Sequence, residues 1–129
     1  TITQQVAKNF YFDMDQTIER KIAEMFMAVA MEKEFTKDEI LELYVNHIYF
    51  GDGYDCVREA SLGYFQKEPG QMTDYESTML AGIPNAPSVY APTKNPELAK
   101  QRQQQVLSTM VKNGMLTEEE RTAILEQSE

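Results

Sequence analysis

Arg20-Lys21-Ile22-Ala23-Glu24-Met25-Phe26-Met27-Ala28-Val29-Ala30-Met31 is the stretch whose reading decides the fold. From Ile22 to Met31 the one charge in ten residues is Glu24. A segment apolar on nearly every side reads as a buried helix. A carboxylate inside such a helix costs several kcal/mol unless it is paired or functional. Arg20 stands one turn earlier on the same face, but Arg-before-Glu is the weaker order on an exposed helix. Surface stabilisation therefore explains the pair poorly. A sheltered site that handles an anion, a sugar or a proton explains it better. The helix is expected from about Asp15 to Glu34, with Ile22, Met25, Phe26 and Val29 in the core.

Outward from this helix the signals stay helical. Thr36-x-x-Glu39 is a capping box that opens a run in which Ile40, Tyr44 and Ile48, with Leu41 and Val45, share a face. Thr73-x-x-Glu76 opens another through Leu80, and Thr117-x-x-Glu120 a last short one. Asn95 before Pro96 reads as an N-cap with proline at the first helical position. That helix is expected to reach Asn113 and stop at Gly114. Gly51-Asp52-Gly53 is a turn. The prolines at 84, 87, 92 and 96 predict an ordered, extended connector from Ile83 to Pro96, anchored by Ile83, Val89 and Tyr90. No sustained two-residue alternation appears, so the expected fold class is all-α.

The chain has 129 residues, enough for one core and one domain. A net charge of −9 argues against general nucleic-acid binding. The acidity gathers at the end: residues 115–129 hold one basic group against five acids, whereas residues 1–33 hold four basic groups and five acids. One His, His47, and one Cys, Cys56, argue against a structural zinc site, and Cys56 has no disulfide partner within the chain. No run approaches the roughly 20 apolar residues that cross a bilayer. Phe10-Tyr11-Phe12 fits either a core plug before a helix or an interfacial aromatic cluster.

An ordered set of short motifs narrows the function. Thr1-Ile2-Thr3-Gln4-Gln5 comes first, then Arg20-Lys21-x-x-Glu24. Lys37-x-x-Ile40-Leu41-Glu42-x-Tyr44-Val45-Asn46 follows, with Phe50-Gly51 just beyond it. Leu80-Ala81-Gly82-Ile83-Pro84-Asn85-Ala86-Pro87-Ser88 and Arg102-x-x-x-Val106-Leu107 complete the series. Together these resemble the second to fifth motifs of the family 51 peptidoglycan glycosyltransferase domain, found in bifunctional penicillin-binding proteins and monofunctional transglycosylases. Val45 stands where that family usually has Leu, Gln16 where some relatives carry a basic residue, and Asp55 or Cys56 where a further glycine is usual. The family's first motif, Glu-Asp-x-x-Phe-x-x-His-x-Gly, carries its general base and does not occur here. The chain is accordingly expected to be a partial domain over residues 1–129, truncated at its N-terminus and inert alone.

The resemblance implies a lysozyme-like helical fold. It also implies polymerisation of lipid II onto a nascent glycan strand with release of undecaprenyl pyrophosphate, at the extracytoplasmic face of the bacterial cell membrane. Substrate contacts fall on Thr3, Gln4, Gln5, Lys8, Arg20 and Lys21, and Glu24 is the catalytic-site carboxylate. Glu24 is expected to orient the cations or to help hold a divalent ion, magnesium or manganese, at the pyrophosphate; the sequence itself requires no cofactor. Lys37, Glu42, Tyr44, Asn46, Gly51 and Arg102 are structural motif positions. Blander readings stand beside these: Gln4 and Gln5 as helix surface, Lys8 as a solvated lysine, Glu24 as a structural partner of Arg20, and Glu42 with Asn46 as backbone orienters. Two other functions compete. A lysozyme-like hydrolase needs paired carboxylates but no cations for a pyrophosphate. A non-catalytic helical module needs neither. Apolar surface left uncovered in a partial domain also suits self-association.

Overall fold

The computed structural model describes residues 1–11, Tyr11 by its backbone alone, and residues 17–127. Among them the chain is all-α. Its α-helices are α1 (Ile2–Tyr11), α2 (Ile18–Glu34), α3 (Lys37–Val45), α4 (Val57–Phe65), α5 (Asp74–Gly82), α6 (Pro87–Tyr90), α7 (Pro96–Lys112) and α8 (Glu118–Gln127). They form two compact units, Thr1–Ile48 and Tyr49–Glu129.

In the first unit α1 packs against both α2 and α3. Val6, Ala7, Met31 and Ile40 form its core, with Met27, Leu43 and Tyr44 packed on them. Thr17 caps α2 by accepting from the Arg20 backbone N–H at 3.2 Å. Phe35 is extended and closes the helix. Thr36 then opens α3 with both bonds of the expected capping box in place. The helix stops at Val45, so Ile48 is buried from beyond it, and Leu41 is exposed rather than sharing the buried face. Thr3 ties α1 to the far end of α2, its hydroxyl donating to Glu32 Oε1 at 2.9 Å.

One expectation for α2 is overturned. Ile22, Met25, Phe26 and Val29 are 48%, 55%, 73% and 54% exposed, whereas Glu24, Ala28 and Met31 are the buried positions. The run is apolar all round, so composition could not choose the face. The neighbours α1 and α3 cover one side only, and Arg20 neutralises Glu24 enough for the acid to lie on that side. The helix starts at Ile18, three residues after the expected start near Asp15, because Thr17 is extended and caps it; the Phe12 end of the aromatic cluster and Gln16 lie outside the described residues. Phe10 is half-exposed and rests against His47, ring centroids 4.5 Å apart.

In the second unit α5, α7 and α8 share a core of Tyr75, Met79, Ala99, Leu107 and Ile124. Gln103 is buried between α5 and α7, its Nε2 donating to Tyr75 O at 2.8 Å and Thr78 Oγ1 at 3.1 Å. Helix α4 was not expected. Its N-cap is Cys56, whose sulfur accepts from the Glu59 N–H at 3.5 Å, a weaker signal than a threonine. Residues 83–96 also differ from the extended connector expected. Ile83–Asn85 forms a 3₁₀ turn and α6 a single α turn, with Pro84 and Pro87 near their starts, where a missing N–H costs nothing. Asn95 stands at the N-cap of α7 but does not cap it; its side-chain amide donates to Val89 O instead. The stop is as expected, with Gly114 at φ +74°.

Candidate functional site

Helical spacing builds the site. Thr1, Gln4, Gln5 and Lys8 recur at steps of three, one and three residues, which places them along one side of α1. Lys21, Glu24 and Met25 do the same on α2. The two rows face each other across a hollow of about 260 Å³, lined by Thr1, Gln4, Gln5, Lys8, Lys21, Glu24 and Met25. Two ammonium groups, two carboxamides and one carboxylate thus share a small concavity within the first unit. Such a set offers charge-assisted hydrogen bonds to an anion and amide contacts to its flanking hydroxyls.

Arg20 is not on the hollow's wall. Its Nε lies 3.0 Å from Glu24 Oε1, and the two side chains are 9% and 11% exposed. The guanidinium therefore stands behind the carboxylate and holds it in place.

Thr3 is also absent from this wall. It falls on the packed side of α1, is buried, and is spent on Glu32. The spacing could have shown this, since Thr3 lies about 160° round the helix from Gln5, nearly opposite the row. Met25 is the residue that the sequence reading placed in the core and the structure places at the rim.

A divalent cation finds one carboxylate here. Glu24 is the sole acid among the hollow's described lining residues, and Arg20 already engages it. Magnesium wants about six oxygen ligands. No group of three His, Cys, Asp or Glu side chains gathers for a metal among the described residues. The donor set does not fit a cation held by the protein; any such ion would take most of its ligands from pyrophosphate and water.

The other motif residues lie elsewhere. Lys37 opens α3 and lines a separate, mostly apolar cavity of about 440 Å³ with Ile2, Thr3, Glu32, Phe35, Ile40 and Leu41. Asn46 ends α3, its N–H donating to Glu42 O and the following His47 N–H to Tyr44 O, both at 3.1 Å. Glu42 is exposed, and burial pushes the half-buried Tyr44 hydroxyl's pKa up. Gly51 needs its φ of +82°, and a Cβ there would meet Pro87 O at 2.9 Å. Arg102 links α7 to α5 through Gly82 O at 3.4 Å and stacks over Tyr90 at 5.9 Å. A Cβ at Gly82 would stand 2.7 Å from Arg102 Cγ, so the glycine makes room for the arginine.

Comparison with known proteins gives these positions a family. The chain is 46% identical to penicillin-binding protein 1A of Neisseria gonorrhoeae over 125 residues, 97% of this chain and 16% of that protein. Against penicillin-binding protein 1A of Neisseria flavescens it is 45% identical over 127 residues, again 16% of the relative. A putative transglycosylase of Cupriavidus necator is 47% identical over 117 residues, 91% of this chain and 51% of that protein. The chain thus spans about a sixth of the former relatives and half of the latter. The family model described as transglycosylase matches residues 1–111, most of the length and every residue of the hollow, and the chain belongs to that family.

Proposed function

We propose that the α1–α2 hollow is the pyrophosphate-binding part of a peptidoglycan glycosyltransferase that joins lipid II to a growing glycan strand and releases undecaprenyl pyrophosphate. The observation that carries this reading is the meeting of Lys8 and Lys21 with Gln4, Gln5 and Glu24 in one concavity. A leaving pyrophosphate gains negative charge as the glycosidic bond forms elsewhere. Fixed cations aimed at it stabilise that charge more in the transition state than in the ground state. Lys8 and Lys21 take this task, and the two glutamines hold flanking oxygens. Glu24, fixed by Arg20, keeps the lysines apart and oriented without serving as the base.

The acceptor hydroxyl still needs a general base. The family resemblance assigns that role to a first motif that residues 1–129 do not contain, so these residues alone are proposed to be inactive. A lysozyme-like hydrolysis would need a second carboxylate across the bond, and the hollow's described lining offers one. The reading places the work on lipid-borne substrates at the outer face of a bacterial cell membrane. Among the described residues no helix is long and apolar enough to cross a membrane.

Labelled lipid II tests the division of roles. The 129-residue chain is expected to make no polymer, and a longer version carrying the first motif upstream is expected to make it. Polymer from the short chain would place the base within residues 1–129 and refute that division.

A further inference from the structure

Tyr75 on α5 is 7% exposed and belongs to the core of the second unit. Its backbone N–H and C=O are both engaged, but its hydroxyl makes no hydrogen bond among the described residues. A buried tyrosine ordinarily finds a partner for its O–H. Tyr64, nearby on α4, donates its own to Phe50 O at 2.8 Å. The Tyr75 oxygen is unpaired yet not sealed from solvent. Its outlet is a cavity of about 520 Å³ that Tyr75 lines, wholly within the second unit. That size falls among small-ligand sites, roughly 300–1,000 Å³.

The same wall carries Glu76, Lys67 and Lys100. Glu76 Oε1 accepts from Lys67 Nζ at 2.8 Å and from the Thr73 N–H at 2.9 Å. Lys100, one turn of α7 beyond Pro96, is exposed and enters no ion pair among the described residues. Phe65, Pro92 and Pro96 add flat apolar surface.

We propose that this cavity binds sugar rings of a neutral N-acetylated glycan, through residues none of which lines the α1–α2 hollow. The choice of an N-acetylated glycan rests on the function proposed above; the preference for a neutral polyol comes from the cavity itself. Sugar hydroxyls both donate and accept, so they suit an acceptor at Glu76, a donor at Lys100 and a tyrosine hydroxyl that can be either. The C–H faces of the rings lie on Phe65 and the prolines. An acidic peptide fits less well, because Lys67 is already engaged and the Glu76 carboxylate repels a second negative charge.

Titrating tetra-N-acetylchitotetraose, a neutral chain of N-acetylglucosamine, into the isotope-labelled 129-residue chain tests the site. Saturable shifts are expected at the amides of Phe65, Lys67, Tyr75, Glu76 and Lys100. Tyr75→Phe should weaken the sugar about five-fold without lowering the thermal midpoint, since the hydroxyl it removes has no partner. Lys100→Ala should weaken it about three-fold. Absence of saturable shifts, shifts confined to the hollow, or full affinity in Tyr75→Phe would overturn the site. Tighter binding of tetraglutamate at the same amides would assign the cavity to acidic peptides instead. Farnesyl pyrophosphate reads the hollow separately in the same chain. Sugar bound here without pyrophosphate bound there would keep this site and sink the pyrophosphate reading; the reverse would sink this site alone.

Discussion

Arg20 and Glu24 meet at 3.0 Å with about a tenth of each side chain exposed. Removing one member of such a pair leaves an uncompensated charge in a sheltered place. Arg20→Ala is expected to cost about 3 kcal/mol of stability, read from the urea midpoint. A loss below about 0.5 kcal/mol would mean that water solvates Glu24 well enough to make the pair a surface contact. The pair was legible in the sequence because a lone charge in a ten-residue apolar run needs a partner, and Arg20 stands four residues back. The face was not legible. Nothing in Ile22-Ala23-Glu24-Met25-Phe26 says which side α1 and α3 will cover, and the acid went inward while the large apolar residues went out. Thr3 shows the reverse case: a residue that the family resemblance drew into the site is held by Glu32 on the packed side.

Helix ends were the most legible elements. Thr36, Thr73 and Thr117 each accept from the backbone three residues on while the glutamate there accepts in return. Such a box is local, so tertiary packing cannot easily displace it. Burial opposes the charge of Glu76, but the Lys67 ammonium at 2.8 Å and the Thr73 hydrogen bonds outweigh it. Its carboxyl pKa is therefore held below the ordinary value of 4.5. A lowered folded value contributes stability that is complete above the unfolded value and lost as pH falls through the folded one. Glu76→Gln should thus lower the urea midpoint more at neutral pH than at roughly pH 3. Equal losses at both would show that the charge is irrelevant. Helix α4 was missed because a cysteine cap and a nine-residue span give little periodicity to read. Gly63 fixes its packing: an added Cβ would run into the Tyr54 ring, which stands edge-on to Tyr64 at 4.9 Å. Gly63→Ala is expected to cost about 1–3 kcal/mol by thermal or urea unfolding; no change would mean that Tyr54 swings away freely.

At the scale of the whole molecule, the all-α class and the transglycosylase family were legible, because both rest on many residues in order. The hollow rests on fewer. Its α1 wall was written in the spacing of Thr1, Gln4, Gln5 and Lys8; its α2 wall included Met25, whose exposure no sequence pattern announced. What the chain does within relatives about six times its length turns on whether this hollow holds pyrophosphate. The most direct measurement is calorimetric titration of farnesyl pyrophosphate into the wild-type chain and into Lys21→Ala, with Lys100→Ala, in the second unit, as control. Saturable binding is expected, weakened about ten-fold by Lys21→Ala and unchanged by Lys100→Ala. Equal affinity in a correctly folded Lys21→Ala chain would contradict the account.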